Sequence, residues 1–162
     1  MNAPQLVPGF LLLEDGTLFH GRMRPGTPLT VAEVVFTTNM SGYQEVFTDP
    51  SFQAQIVVMT APMIGNYGIN TVDPESAKPQ VAGVVAREFS RTYSNWRAEG
   101  DLLSWLADAE VPALEEVDTR RLTRHLRSVG VIDRVDRLEG RTSLAGHLLA
   151  PMLFTLRSGW RQ

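Results

Sequence analysis

One eight-residue stretch constrains the fold more than any other. Gln55–Pro62 reads QIVVMTAP, a near-continuous apolar run. A strand of this kind has no polar face to offer water, so both its faces must be covered. That demands a layered domain. The chain has 162 residues, enough for one domain with a real core.

The flanking sequence supplies elements for such layers. Phe10–Leu13 and Leu18–His20 read as hairpin arms, with Asp15-Gly16 as the turn that needs positive φ. Val31–Thr38, VAEVVFTT, is β-branched and reads as one strand. Ser41 is positioned to cap a short helix through Tyr43, Glu45 and Val46, which Asp49-Pro50 would end. Ile64–Gly68, IGNYG, reads as a turn whose two glycines and asparagine tolerate left-handed backbone. Pro74–Gln80 reads as a solvated connection, and Val81–Phe89 as the next strand. Leu102, Leu103, Trp105, Leu106 and Ala109 recur at helical spacing behind an Asp101 cap. A short strand, Ala113–Val117, precedes a second helix bounded by Asp118 and Gly130. In that helix Leu122, Leu126 and Val129 form an apolar stripe. Strands give way to alternating strands and helices, which predicts an α/β domain with a mixed sheet.

Charge and composition exclude several classes. The 15 basic and 18 acidic side chains leave a net charge of −3, which does not suit a nucleic-acid binder. The apolar runs fall short of a membrane span. Met1–Gln5 carries no basic residue ahead of Leu11-Leu12-Leu13, so no signal peptide is expected. The chain has no cysteine, so it holds no disulfide, thiolate metal site or cysteine nucleophile.

Candidate chemistry is sparse. Histidine occurs only at His20, His125 and His147. A triad of Ser51, Asp49 and one of these is conceivable, but no nucleophile elbow surrounds Ser51. Asp73 with Glu75, and Glu14 with Asp15, read as solvated turn acids rather than metal ligands. Gly65–Gly68 could offer N–H groups to an anion, although a tight strand-to-loop turn explains it better. Arg120, Arg124 and Arg127 align at i, i+4 and i+7. They suit a solvated face paired with local acids, or a site for phosphate or an acidic partner surface. Ser51, leaving the Asp49-Pro50 turn, caps locally or offers its hydroxyl outward.

Read together, eight separated stretches resemble one family. They are Leu13–Thr17, Phe19–Gly21, Glu33–Phe36, Gly42–Glu45, Thr48–Ser51, Ile64–Gly68, Asn95–Arg97 and Asp118–Thr123. In order and spacing they are similar to the N-terminal domain of the small, glutamine-hydrolysing chain of carbamoyl phosphate synthase. The resemblance covers roughly residues 10 to 130. It implies a three-layer β/β/α swivelling domain over residues 1–130, followed by an atypical segment over 131–162. It implies a cytoplasmic location and a large-chain partner, with no membrane or nucleic acid involved. In the family a separate glutaminase domain releases ammonia from glutamine with a thiolate. The large chain combines that ammonia with bicarbonate and ATP to make carbamoyl phosphate for pyrimidine and arginine synthesis.

Lacking cysteine, this chain is expected to be inactive alone. No cofactor is expected in it; ATP and a divalent metal belong to the large chain. The resemblance assigns Ser51 a hydrogen bond to glutamine, and Gly42, Tyr43, Gln44 and Glu45 the support of that loop. Arg120, Arg124 and Arg127 become candidate interface residues. The chain departs from the family pattern at Thr37, at Ala61-Pro62-Met63 and most strongly beyond Val131. That last departure raises an alternative: a stand-alone interaction module that kept the fold without glutaminase activity.

Overall fold

A computed structural model describes residues 5–129 and the backbone of 152–154. Apart from 152–154, the atypical segment 131–162, with His147, lies outside the described residues, as do Gly130 and the Val129 side chain. Eight strands and three α-helices are described: β1 (Val7–Leu12), β2 (Leu18–Met23), β3 (Thr30–Val31), β4 (Glu33–Thr37), α1 (Tyr43–Thr48), β5 (Gln55–Met59), β6 (Gly83–Val85), α2 (Leu102–Asp108), β7 (Ala113–Leu114), α3 (Thr119–Val129) and β8 (Met152–Phe154). They form an α/β domain with two sheets. One is mixed, in the order β2-β1-β8-β3, and the other is β4-β5-β6-β7, in which every pair is parallel.

The apolar run is the centre of the parallel sheet. Ile56, Val57, Val58 and Met59 are all fully buried. Because side chains alternate along a strand, the run feeds two cores. Val57 and Met59 pack with Tyr43 and Phe47 of α1 and Leu102 and Leu106 of α2. Ile56 and Val58 pack with Leu11, Phe19 and Met23 of the mixed sheet and Leu122 and Leu126 of α3. Helices α1 and α2 therefore cover one face of the parallel sheet. The mixed sheet and α3 cover the other.

The hairpin forms as expected, with Gly16 at φ 86. Asp101 caps α2, accepting from Ser104 N–H at 2.8 Å, and Asp118 does the same for Arg121 at 2.9 Å. Four expectations need correction. Val31–Thr38 is two strands that part at Ala32 and join different sheets. Val81–Phe89 is regular only over Gly83–Val85, and Ala113–Val117 only over Ala113–Leu114. Ser41 does not cap α1. Gly42 occupies the cap position at φ 73, without any side-chain cap bond.

The two sheets meet where β2 passes the end of β7. Arg22 and Glu115 exchange backbone hydrogen bonds at 2.8 Å in both directions. Gly21 makes that approach possible, since a Cβ there would stand 2.4 Å from the Glu115 carbonyl oxygen. The Glu115 carboxylate in turn pairs with Arg91.

Candidate functional site

Short helix α1 is held by side-chain hydrogen bonds to the loop over residues 67–76. The helix is too brief to be stable by itself, and its orphan N–H groups need partners. Tyr67 supplies one. Its phenolic oxygen accepts from the N–H of Gly42 at 2.6 Å and of Tyr43 at 3.1 Å. The Tyr43 and Tyr67 rings stack, with centroids 4.2 Å apart. The Tyr43 hydroxyl donates to the Gly68 carbonyl at 2.5 Å. Burial pushes both phenols above their ordinary pKa, and for Tyr43 the neighbouring Tyr67 adds to the rise. Both stay protonated, which the Tyr43 donor bond requires.

Gln44 extends the brace. Its Nε2 donates to the Asn70 carbonyl at 2.8 Å, and its Oε1 accepts from Asn70 N–H at 3.0 Å. Asn70 Oδ1 accepts from the N–H groups of Val72 and Asp73. Thr48, at the end of α1, accepts from Glu75 N–H at 2.9 Å, and its carbonyl accepts from the Ser76 hydroxyl. Residues 67–76 thus wrap α1 through side chains that pair with backbone. Glu45 occupies the first turn, where the helix dipole favours an acid. Its Oε2 is buried with no hydrogen-bond partner among the described residues.

This bracing presents the turn that follows. Asp49 Oδ1 accepts from Ser51 N–H at 2.7 Å and opens a single 3₁₀ turn, Pro50–Phe52. Ser51 is exposed. The local cap uses its backbone N–H, and its hydroxyl has no hydrogen-bond partner among the described residues. The arrangement can offer one fixed hydrogen-bonding group.

The other candidates separate from this turn. His20 lies on β2 of the mixed sheet, across the parallel sheet from α1, and His125 lies 2.6 Å from the Asp15 carboxylate, so neither joins Ser51 and Asp49 in a triad. Gly65 and Gly68 take φ 87 and 72, and Gly68 N–H donates back to Gly65. The loop is a closed turn rather than an anion cradle, and Asn66 does not share the left-handed conformation. Among the described residues no cluster of His, Asp or Glu is arranged to hold a metal, and no helix is long and apolar enough to cross a membrane. Arg120, Arg124 and Arg127 are exposed on α3, against the opposite face of the parallel sheet from α1. The loop-support role of Tyr67, Asn70 and Thr48 escaped sequence reasoning. Its hydrogen bonds join residues 25 to 27 positions apart, which no local pattern signals.

Comparison with known proteins places this framework. Residues 11–135 match the family described as carbamoyl-phosphate synthase small chain, CPSase domain. The chain is 51% identical over 122 residues to the carbamoyl phosphate synthase small chain of Akkermansia muciniphila, covering 75% of this chain and 33% of that one. It is 50% identical over 124 residues to that of Caldanaerobacter subterraneus subsp. tengcongensis, covering 76% and 35%. With the Symbiobacterium thermophilum protein it shares 52% over 120 residues, covering 74% and 33%. The chain therefore spans about a third of the length of these curated relatives. Matched across most of its described residues, including the α1 brace, the Ser51 turn and α3, it belongs to the carbamoyl phosphate synthase small chain family.

Proposed function

We propose that this chain is the non-catalytic N-terminal domain of the small chain of a glutamine-dependent carbamoyl phosphate synthase. In this reading residues 1–130 form the three-layer swivelling domain. It docks to the large chain in the cytoplasm and borders the glutamine site of a glutaminase domain. ATP, bicarbonate and the divalent metal act in the large chain, and the thiolate that attacks glutamine lies outside these cysteine-free 162 residues. The chain by itself then hydrolyses no glutamine. The complete enzyme makes carbamoyl phosphate.

One observation carries the reading. An exposed serine stands at the exit of a helix whose every turn is tied to a neighbouring loop. Such bracing is wasted on a solvated turn and suits a group held for a ligand that arrives from outside. Ser51 would donate or accept one hydrogen bond to glutamine while the chemistry proceeds next door.

The test is Ser51→Ala in a complete small chain assembled with its large chain. Glutamine-dependent kcat/KM should fall by about 2- to 12-fold, the equivalent of one hydrogen bond of about 0.5–1.5 kcal/mol. Synthesis from free ammonia should be unchanged. Equal losses with both nitrogen sources would refute the role of Ser51.

A further inference from the structure

Helix α3 carries Arg120, Arg121, Arg124 and Arg127 within little more than two turns. Two of them are engaged inside the domain. The Arg121 guanidinium lies over the Phe19 ring at 4.9 Å, and that of Arg127 over Phe36 at 5.1 Å, each a cation–π contact. Arg120 and Arg124 are exposed one turn apart. Neither pairs with an acid among the described residues, whose ion pairs are Arg91–Glu115 and His125–Asp15. Asp118, the nearest acid in sequence, has its Oδ1 committed to the N–H of Arg121. Like charges at this spacing destabilise a helix. The arrangement therefore works against the helix that bears it, and an external anion would reverse that sign.

The shape says which kind of anion. Arg120, Arg121 and Arg124 line a shallow depression with Asp118, His125 and Ser128. It is open to solvent, unlike the enclosed clefts that bury small ligands. From Arg120 to Arg127 the row runs about 10 Å at 1.5 Å per residue, longer than one carboxylate or phosphate. Guanidinium groups pair with carboxylates two bonds at a time. Several carboxylates spaced along a folded surface match the row. A nucleic-acid track matches less well, because the positive charge stops at one helix on a chain of net charge −3.

We propose that the Arg120–Arg124 edge of α3 docks an acidic patch of a partner protein, which, resting on the function proposed above, is the large chain. Because α3 and α1 pack on opposite faces of the parallel sheet, docking through α3 leaves the Ser51 turn free to meet glutamine.

The experiment is a calorimetric titration of the 162-residue chain against the cognate large chain at low and physiological salt. Wild type is compared with the double variant Arg120→Glu/Arg124→Glu. The variant should bind about tenfold more weakly or worse, with a shallower salt dependence. Equal affinity for both would overturn this inference and leave docking itself intact. No binding by a folded wild-type chain would instead defeat the functional reading beneath it. Should charge reversal unfold the chain, Arg120→Gln/Arg124→Gln carries the test. Neutralisation relieves the repulsion, so its melting temperature should hold or rise while binding weakens. A melting temperature that falls together with affinity would mean a structural role and overturn the proposal. So would comparable binding to a DNA duplex that the same substitutions abolish.

Discussion

The backbone N–H of Gly42 donates to the phenolic oxygen of Tyr67 at 2.6 Å. A side chain from the loop after β5 thereby caps a helix that lacks a cap of its own. Tyr67→Phe keeps the ring stacked on Tyr43 and deletes only the acceptor. It should cost about 1–2 kcal/mol, read from urea denaturation. A loss below about 0.5 kcal/mol would mean that water replaces the phenol without penalty.

Gly21 predicts a sharper loss for its size. Its absent Cβ makes room for the Glu115 carbonyl and for Val117, and backbone cannot step aside as a side chain can. Gly21→Ala should destabilise by about 1–3 kcal/mol. Gly9 is the control. A Cβ there would meet the Met23 side chain, 2.6 Å away at its sulfur, which can rotate. Gly9→Ala should cost clearly less. Equal losses in the two denaturation curves would show that the sheet junction yields as easily as a methionine.

Asp15 predicts how the domain fails in acid. Partial burial opposes ionisation of this carboxyl, but the Thr17 N–H and hydroxyl and the His125 ring outweigh it and hold the pKa below its ordinary value. The folded state therefore prefers the carboxylate. The stability this gives is fully present above the unfolded pKa and is lost as pH falls through the folded one. Asp15→Asn should lower stability at neutral pH and flatten the decline on the acid side. A variant whose acid profile parallels wild type would show that the Asp15–His125 contact contributes nothing.

Much of this architecture was legible from local patterns. Asp15-Gly16 announced the hairpin, Asp101 and Asp118 announced their helices, and the run from Gln55 demanded cover on both faces. These signals act within a few residues, where backbone sterics and hydrogen bonding decide the outcome. The break at Ala32 was not legible, because Ala32-Glu33 only weakly interrupts a β-branched run and the positions of two sheets decide where it divides. The cap of α1 was hidden for a similar reason. Ser41 has suitable chemistry, but Gly42 turns left-handed and Tyr67 arrives from 25 residues away. At the candidate site the exposed Ser51 turn could be named from sequence, while the braces that fix it depend on contacts that only the fold creates. The arginine row was visible as a row. That Arg127 lies over Phe36 of the parallel sheet, while Arg120 and Arg124 are exposed without an acid partner among the described residues, follows from how α3 packs.

Docking to a large chain is the claim on which the functional reading turns, and binding tests it most directly. The measurement is a titration of the 162-residue chain, shown by circular dichroism to be folded, against a carbamoyl phosphate synthase large chain across a range of salt. Saturable one-to-one binding that persists at physiological ionic strength and weakens as salt rises is the expected result. A folded chain that shows no saturable binding even at low salt would contradict it.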